Sequence, residues 1–205
     1  MAVNSTTHYN HFKSQVAFLR ERRRNFENAF NANVLNREDI GFAYMGLYLS
    51  VFTEFESFLE ELFVGIVSGQ IKHSSSLVGR RVRILPKMLT EEIIFANKKY
   101  IDWFPYEQWT VPRANLFLDQ GHPYTQMSTE DLKKLENYQI LRNVIAHKSK
   151  FAINKFNTTI SALPLLPDEK LPGGYLRSIP NRVNGRTQIE IAFDEISVLA
   201  KKLCT

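Results

Sequence analysis

The 205 residues include a single cysteine, Cys204, next to the last position. No intrachain disulfide and no cysteine-based zinc motif can form from it. Long apolar runs are also missing: the longest strongly apolar stretch, Leu62 to Val67, falls far short of the ~20 residues a membrane helix needs. The opening Met1-Ala-Val-Asn-Ser-Thr-Thr has no basic stretch leading into an apolar run, so no secretory signal is read there. Together these absences predict a soluble protein of a reducing, cytoplasmic compartment without membrane contact. Walker loops, GxSxG elbows and HExxH motifs are absent as well, which sets aside the nucleotide-loop, hydrolase-elbow and zincin chemistries.

Hydrophobic residues make up 44% of the chain and charged residues 23%. That balance belongs to an ordinary globular protein and argues against disorder along the whole length. The length suits one domain spanning 1–205. A formal charge of +5 mildly favours an anionic partner but is far from a histone-like excess.

The apolar spacing predicts an all-α fold, a bundle with long antiparallel helices. From Tyr9 to about Phe30, Phe12, Val16, Leu19, Phe26 and Phe30 recur at three, four and seven. The basic run Arg20-Glu-Arg-Arg-Arg24 occupies the other face. Asn36 or Asp39 caps a second helix to about Ser68, with Leu47, Val51, Phe55, Phe58, Leu62 and Ile66 as its stripe. Ser128-Thr-Glu-Asp131 has capping-box spacing and opens a helix that continues towards Phe156. The helical core is thus expected at about 9–68 and 128–158.

The insertion at about 70–127 is less regular. A helix from Pro86 to about Lys99 and another from Pro112 to about Gly121 are expected there. Pro164, Pro167, Pro172, Pro180 and Gly173-Gly174 predict a loop over about 161–186. Gln188-Ile-Glu-Ile-Ala-Phe193 alternates like one short β segment near the C-terminus, and Asp194 would cap a closing helix.

The most informative segment is Arg142-Asn143-Val144-Ile145-Ala146-His147. Arginine is a permanent cation suited to phosphate, and an imidazole moves protons near neutral pH. On an ideal helix Arg142 and His147 lie about 140° apart around the axis, so they do not share a face. Gln139, Asn143 and His147 do form one polar line, while Leu141 and Ile145 face the core. Two copies packed about a two-fold axis would bring two Arg–His pairs into one cleft.

Arg142-Asn143-x-x-x-His147 at the end of an amphipathic helix resembles the Arg-x4-6-His signature of the HEPN superfamily of helical ribonucleases. Asn143 matches the polar residue that often follows the arginine. The helix Val51-Phe-Thr-Glu54-Phe-Glu-Ser-Phe-Leu-Glu-Glu-Leu62 is similar to the acidic–aromatic helix upstream in several HEPN families. The resemblance covers roughly 37–68 and 128–156. It implies a metal-independent endoribonuclease with no cofactor. An imidazole would help remove the ribose 2′-hydroxyl proton and arginine would stabilise the charged phosphorane. It also implies RNA as substrate, a homodimer, and a toxin or anti-phage defence role with an antitoxin or regulatory partner. The alternatives are a non-catalytic HEPN module that binds a nucleotide or a protein, and a structural helical adaptor that docks another protein through the aromatics from Trp103 to Trp109.

Plainer roles compete for each residue. His147 is also placed to meet the last carbonyls of its helix, and Arg142 to form a surface salt bridge. Glu54 supports Arg142 or is simply exposed at the stripe edge. Arg80, Arg81 and Arg83 are the candidate RNA-phosphate contacts, or one solvated face. His8 and His11 have helical metal spacing but no third ligand nearby in sequence, so both are read as surface residues. Trp103 and Trp109 are read as packing residues.

Overall fold

The computed structural model describes residues 2–82, 86–96, 98–180 and 185–205. Among them are eight α-helices: α1 (Ser5–Asn31), α2 (Arg37–Ser68), α3 (Lys87–Phe95), α4 (Tyr106–Phe117), α5 (Thr129–His147), α6 (Lys150–Ile160), α7 (Pro172–Arg177) and α8 (Gln188–Lys202). Sheet among the described residues is confined to two parallel two-residue strands, β1 (Val3–Asn4) and β2 (Ile71–Lys72). The chain is all-α, as the apolar spacing predicts.

The helix starts follow local capping chemistry. Asn36 Oδ1 accepts the backbone N–H of Glu38 and of Asp39 at 2.8 and 2.9 Å, and Asp39 accepts the N–H of Asn36 at 3.0 Å. At α5, Asp131 N–H donates to Ser128 Oγ at 3.2 Å while Ser128 N–H donates to Asp131 Oδ2 at 3.0 Å. Aspartate thus closes the expected box in place of glutamate.

Five expectations are corrected. The helix opened by Ser128 does not reach Phe156: it ends at His147, Lys148 turns to φ 46°, and Ser149 starts α6 by accepting Ala152 N–H at 3.2 Å. Residues 188–193 are helix, not strand. Ile189, Ala192, Phe193, Ile196, Leu199, Ala200 and Leu203 are all buried, a three-and-four spacing that outweighs the brief alternation. Thr187 caps that helix by donating its N–H and hydroxyl to Glu190 at 3.0 Å each, so Asp194 is not the cap. Pro112 lies inside α4 rather than opening it; it is exposed, where water can satisfy the carbonyl it leaves free. The proline-rich stretch holds a 3-10 turn at Pro167–Lys170 and helix α7.

Contacts divide the chain into two compact units. The first comprises Met1–Lys13, Glu54–Glu136 and Ser197–Thr205. Its core is aromatic: Phe55, Phe58, Phe63, Trp103, Tyr106 and Tyr124 are each at most 3% exposed. Tyr124 Oη donates to the Leu59 carbonyl at 2.9 Å and Tyr106 Oη to the Tyr124 carbonyl at 3.0 Å, so both buried phenols are satisfied. Ser5 Oγ donates to the Cys204 carbonyl at 2.8 Å, and His73 Nε2 donates to the Leu203 carbonyl at 2.9 Å. Cys204 is buried, and burial pushes its thiol up to about 12. Lys202 Nζ reaches both oxygens of buried Asp131, at 2.7 and 2.8 Å.

The second unit comprises Ser14–Thr53 and Asn137–Ile196. Its core gathers Tyr44, Tyr48, Val51 and Phe52 of α2 with Leu141, Val144, Phe156, Leu176, Ile189 and Phe193. Part of the basic run of α1 is absorbed here rather than left on a free face. Arg23 pairs with Glu190 at 2.7 Å, and Arg20 pairs with Asp194 and lies over the Phe193 ring. The glycines of α7 permit close packing: a Cβ on Gly173 would meet the Gly41 carbonyl oxygen at 2.8 Å, and one on Gly174 the Asp168 carbonyl oxygen at 2.0 Å.

Candidate functional site

The apolar side of α5 explains how its polar side is presented. Leu141, Val144 and Ile145 are buried, which fixes the rotation of the helix. Tyr48 Oη donates to the Tyr138 carbonyl at 2.7 Å, and Tyr138 Oη donates to Glu195. Burial raises both phenols well above their ordinary range, with Glu195 adding to the effect at Tyr138. Both therefore stay neutral donors at any physiological pH, and their hydrogen bonds hold α5 at Tyr138, one turn before Arg142. With that side pinned, Gln139, Arg142 and Asn143 are half-buried and His147 is exposed, and the polar line lies as the spacing predicts.

Arg142 and His147 meet. Arg142 Nη1 lies 3.1 Å from His147 Nε2 and 3.3 Å from Asn143 Oδ1. The two backbone positions stay about 140° apart around the axis, and the length of the arginine side chain brings the groups together all the same. A guanidinium has only donors, so in this contact Nε2 is the acceptor, and the tautomer that fits it carries its proton on Nδ1. Asn143 holds the same guanidinium nitrogen through its carbonyl oxygen. A cation, an amide and an imidazole with a directed lone pair thus form one solvent-accessible cluster at the end of α5. That set can grip an oxyanion with one group and exchange a proton with another.

The other expected residues lie elsewhere. Glu54 is exposed and lines a small pocket with His8, His11, Phe12, Ser57, Phe58 and Glu61, while Arg142 takes its hydrogen bonds along its own helix. His8 is not the surface residue read from sequence. Its side chain is 10% exposed, stacks on Phe58 with centroids 4.8 Å apart, and donates from Nε2 to the Phe58 carbonyl at 3.2 Å. Burial lowers its pKa. Arg80 and Arg81 are exposed in the first unit, each with one guanidinium nitrogen on a backbone carbonyl: Ile66 at 3.4 Å and Asn115 at 2.7 Å. Arg83 lies outside the described residues. Trp103 is buried as expected, with Nε1 donating to Glu60 at 3.2 Å, whereas Trp109 is half exposed, unlike a packing residue. Among the described residues no three or more His, Cys, Asp or Glu side chains are gathered to hold a metal ion. No described helix is long and apolar enough to cross a membrane.

Two features beside the cluster went unread in the sequence, the left-handed Lys148 and the exposed ring of Phe151. Ser149, a good capping residue followed by an apolar run, was the available sign that a new helix starts there. Neither a family model, nor a curated protein, nor a solved structure matches this chain.

Proposed function

We propose that this chain is a HEPN-type, metal-independent endoribonuclease in which Arg142 and His147 carry the chemistry and Asn143 orients the arginine. The observation supporting this reading is the 3.1 Å approach of Arg142 Nη1 to His147 Nε2 at an open helix end. An RNA phosphate is a stronger acceptor for guanidinium than a neutral imidazole is. Its arrival draws Arg142 onto the phosphate oxygens and frees the Nε2 lone pair. The imidazole takes the 2′-hydroxyl proton, and the 2′-oxygen attacks phosphorus. The bond to the 5′-oxygen breaks, and that oxygen takes a proton from an imidazolium or water. The products are a 2′,3′-cyclic phosphate and a 5′-hydroxyl, and DNA, lacking the 2′-hydroxyl, is not cleaved.

In this reading a homodimer supplies a second pair to the same cleft, so that one imidazole acts as base and the other as acid. The biological setting is that of a cytoplasmic toxin or anti-phage effector held in check by an antitoxin or regulatory protein. The test is cleavage of bulk RNA by purified protein. Arg142→Ala and His147→Ala should each remove activity while leaving thermal unfolding unchanged. Cleavage that persists in either variant sinks the proposal. A wild type and variants that are equally inert, yet retain a bound nucleotide or protein, favour the non-catalytic module instead.

A further inference from the structure

Just beyond His147 the chain holds an aromatic ring out in water. Phe151, in the first turn of α6, is 78% exposed, more than any other large apolar side chain among the described residues. The helix does not need that ring for its own packing, since Ala152, Phe156 and Ile160 are the residues it buries. The adjoining stretch of chain is cationic. Lys148 and Lys150 are both exposed, and from Asn137 to Pro167 the sequence carries Arg142, His147, Lys148, Lys150 and Lys155 without one Asp or Glu. A face of this kind suits an occupant that is both polyanionic and aromatic. The second copy that the proposed homodimer brings to the Arg142–His147 cleft suits the ring itself less well as an occupant, because interface cores are depleted of lysine.

We infer that Phe151 is a stacking platform for an unpaired RNA base, with Lys148 and Lys150 contacting the flanking phosphates. The inference rests on reading Arg142 and His147 as an RNA site, and it adds which form of RNA that site takes. A base must leave its helix to lie on a side-chain ring, so the substrate is single-stranded at this point. Four residues of chain separate Phe151 from His147, which limits the distance between their Cα atoms to about 14 Å. The stacked base therefore lies within a few nucleotides of the bond to be cut.

Binding of a fluorescent, unpaired, mixed-sequence oligoribonucleotide to the full chain carrying His147→Ala, where cleavage is blocked, tests the inference. The expectation is that Phe151→Ala weakens binding about 5- to 150-fold, that Phe151→Trp preserves it, and that Phe151→Leu does not. Lys148→Ala with Lys150→Ala should weaken binding and flatten its salt dependence. The same strand annealed to its complement should bind less tightly and be indifferent to Phe151. In the cleaving chain, Phe151→Ala should raise KM more than it lowers kcat.

Unchanged affinity in Phe151→Ala overturns the inference, as does full rescue by leucine, which would mean a merely apolar contact. A change of oligomeric state in Phe151→Ala overturns it too, by assigning the ring to an interface between copies. The two readings fail separately. A chain that never cleaves but binds RNA through Phe151 loses the nuclease reading and keeps the platform. A chain that needs Arg142 and His147 to cleave, with a KM indifferent to Phe151, does the reverse.

Discussion

Arg142 Nη1 stands 3.1 Å from His147 Nε2, although five positions of α5 separate the two residues. Their backbone positions point away from each other, and the contact exists because the long arginine side chain spans the distance. The contact has a direction: arginine donates, so the imidazole accepts through Nε2 and keeps its proton on Nδ1. With the ring neutral, nitrogen NMR of His147 should report the Nδ1–H tautomer in the wild type. Arg142→Ala should shift the ring towards Nε2–H. A tautomer balance indifferent to Arg142 would remove the contact from solution and, with it, the pre-aimed lone pair.

Lys148 ends α5 at φ 46°, a conformation that costs a side-chain-bearing residue about 1 kcal/mol and glycine almost nothing. Lys148→Gly should therefore raise stability by up to about 1 kcal/mol, read as a higher urea midpoint at unchanged slope. A lower midpoint would mean that the lysine side chain makes a contribution larger than the strain it brings.

Gly174 and Gly46 make an opposed pair. A Cβ at Gly174 would sit 2.0 Å from the Asp168 carbonyl oxygen, whereas a Cβ at Gly46 meets nothing within 4 Å. Gly174→Ala should cost about 3 kcal/mol, because backbone has to move. Gly46→Ala, in the interior of α2, should stabilise by about 0.5–1 kcal/mol through a stiffer unfolded chain. Thermal unfolding of the two variants side by side checks both signs.

Asp131 is buried, which by itself opposes ionisation, but hydrogen bonds from Lys202 and Ser128 outweigh burial and hold its carboxyl below the ordinary value. A depressed folded-state pKa stabilises above the unfolded value of about 3.9 and loses that contribution as pH falls through the folded value. Asp131→Asn should lower stability at pH 7 by about 1–2 kcal/mol, through the lost cap and pair. The gap between wild type and variant should close as the solution is acidified below pH ~4. A gap of equal size at both pH values would show that the carboxylate's charge is irrelevant there.

How much of this was legible beforehand depended on the range of the interaction. The capping boxes at Asn36 and Ser128 each close within four residues, so the sequence carries them whole. The stripe from Leu47 to Ile66 is buried throughout, because a helix that long has one side to cover and the spacing names it. Errors arose where a short window supports two patterns. Gln188 to Phe193 alternates and also starts a three-and-four series, and only packing through Leu203 decides between them. The stop after His147 is masked because a lysine occupies the left-handed position that glycine usually marks, which leaves the capping residue Ser149 as its sign in the sequence.

The candidate site divides the same way. Which residues lie on the polar side of α5, and that Leu141 and Ile145 lie opposite, follow from 3.6 residues per turn. That Arg142 touches His147, that Phe151 is held in water and that His8 is covered by Phe58 depend on side-chain reach and on which atoms neighbouring segments leave uncovered. Alone, the sequence determined the helical class, the starts of α2 and α5 and the sides those two helices bury, since hydrogen bonds and apolar periodicity act over one or two turns. Tertiary packing alone decided the long-range ion pairs, Arg23 with Glu190 and Asp131 with Lys202, and which ring stays wet, because those outcomes are set by atoms distant in the chain.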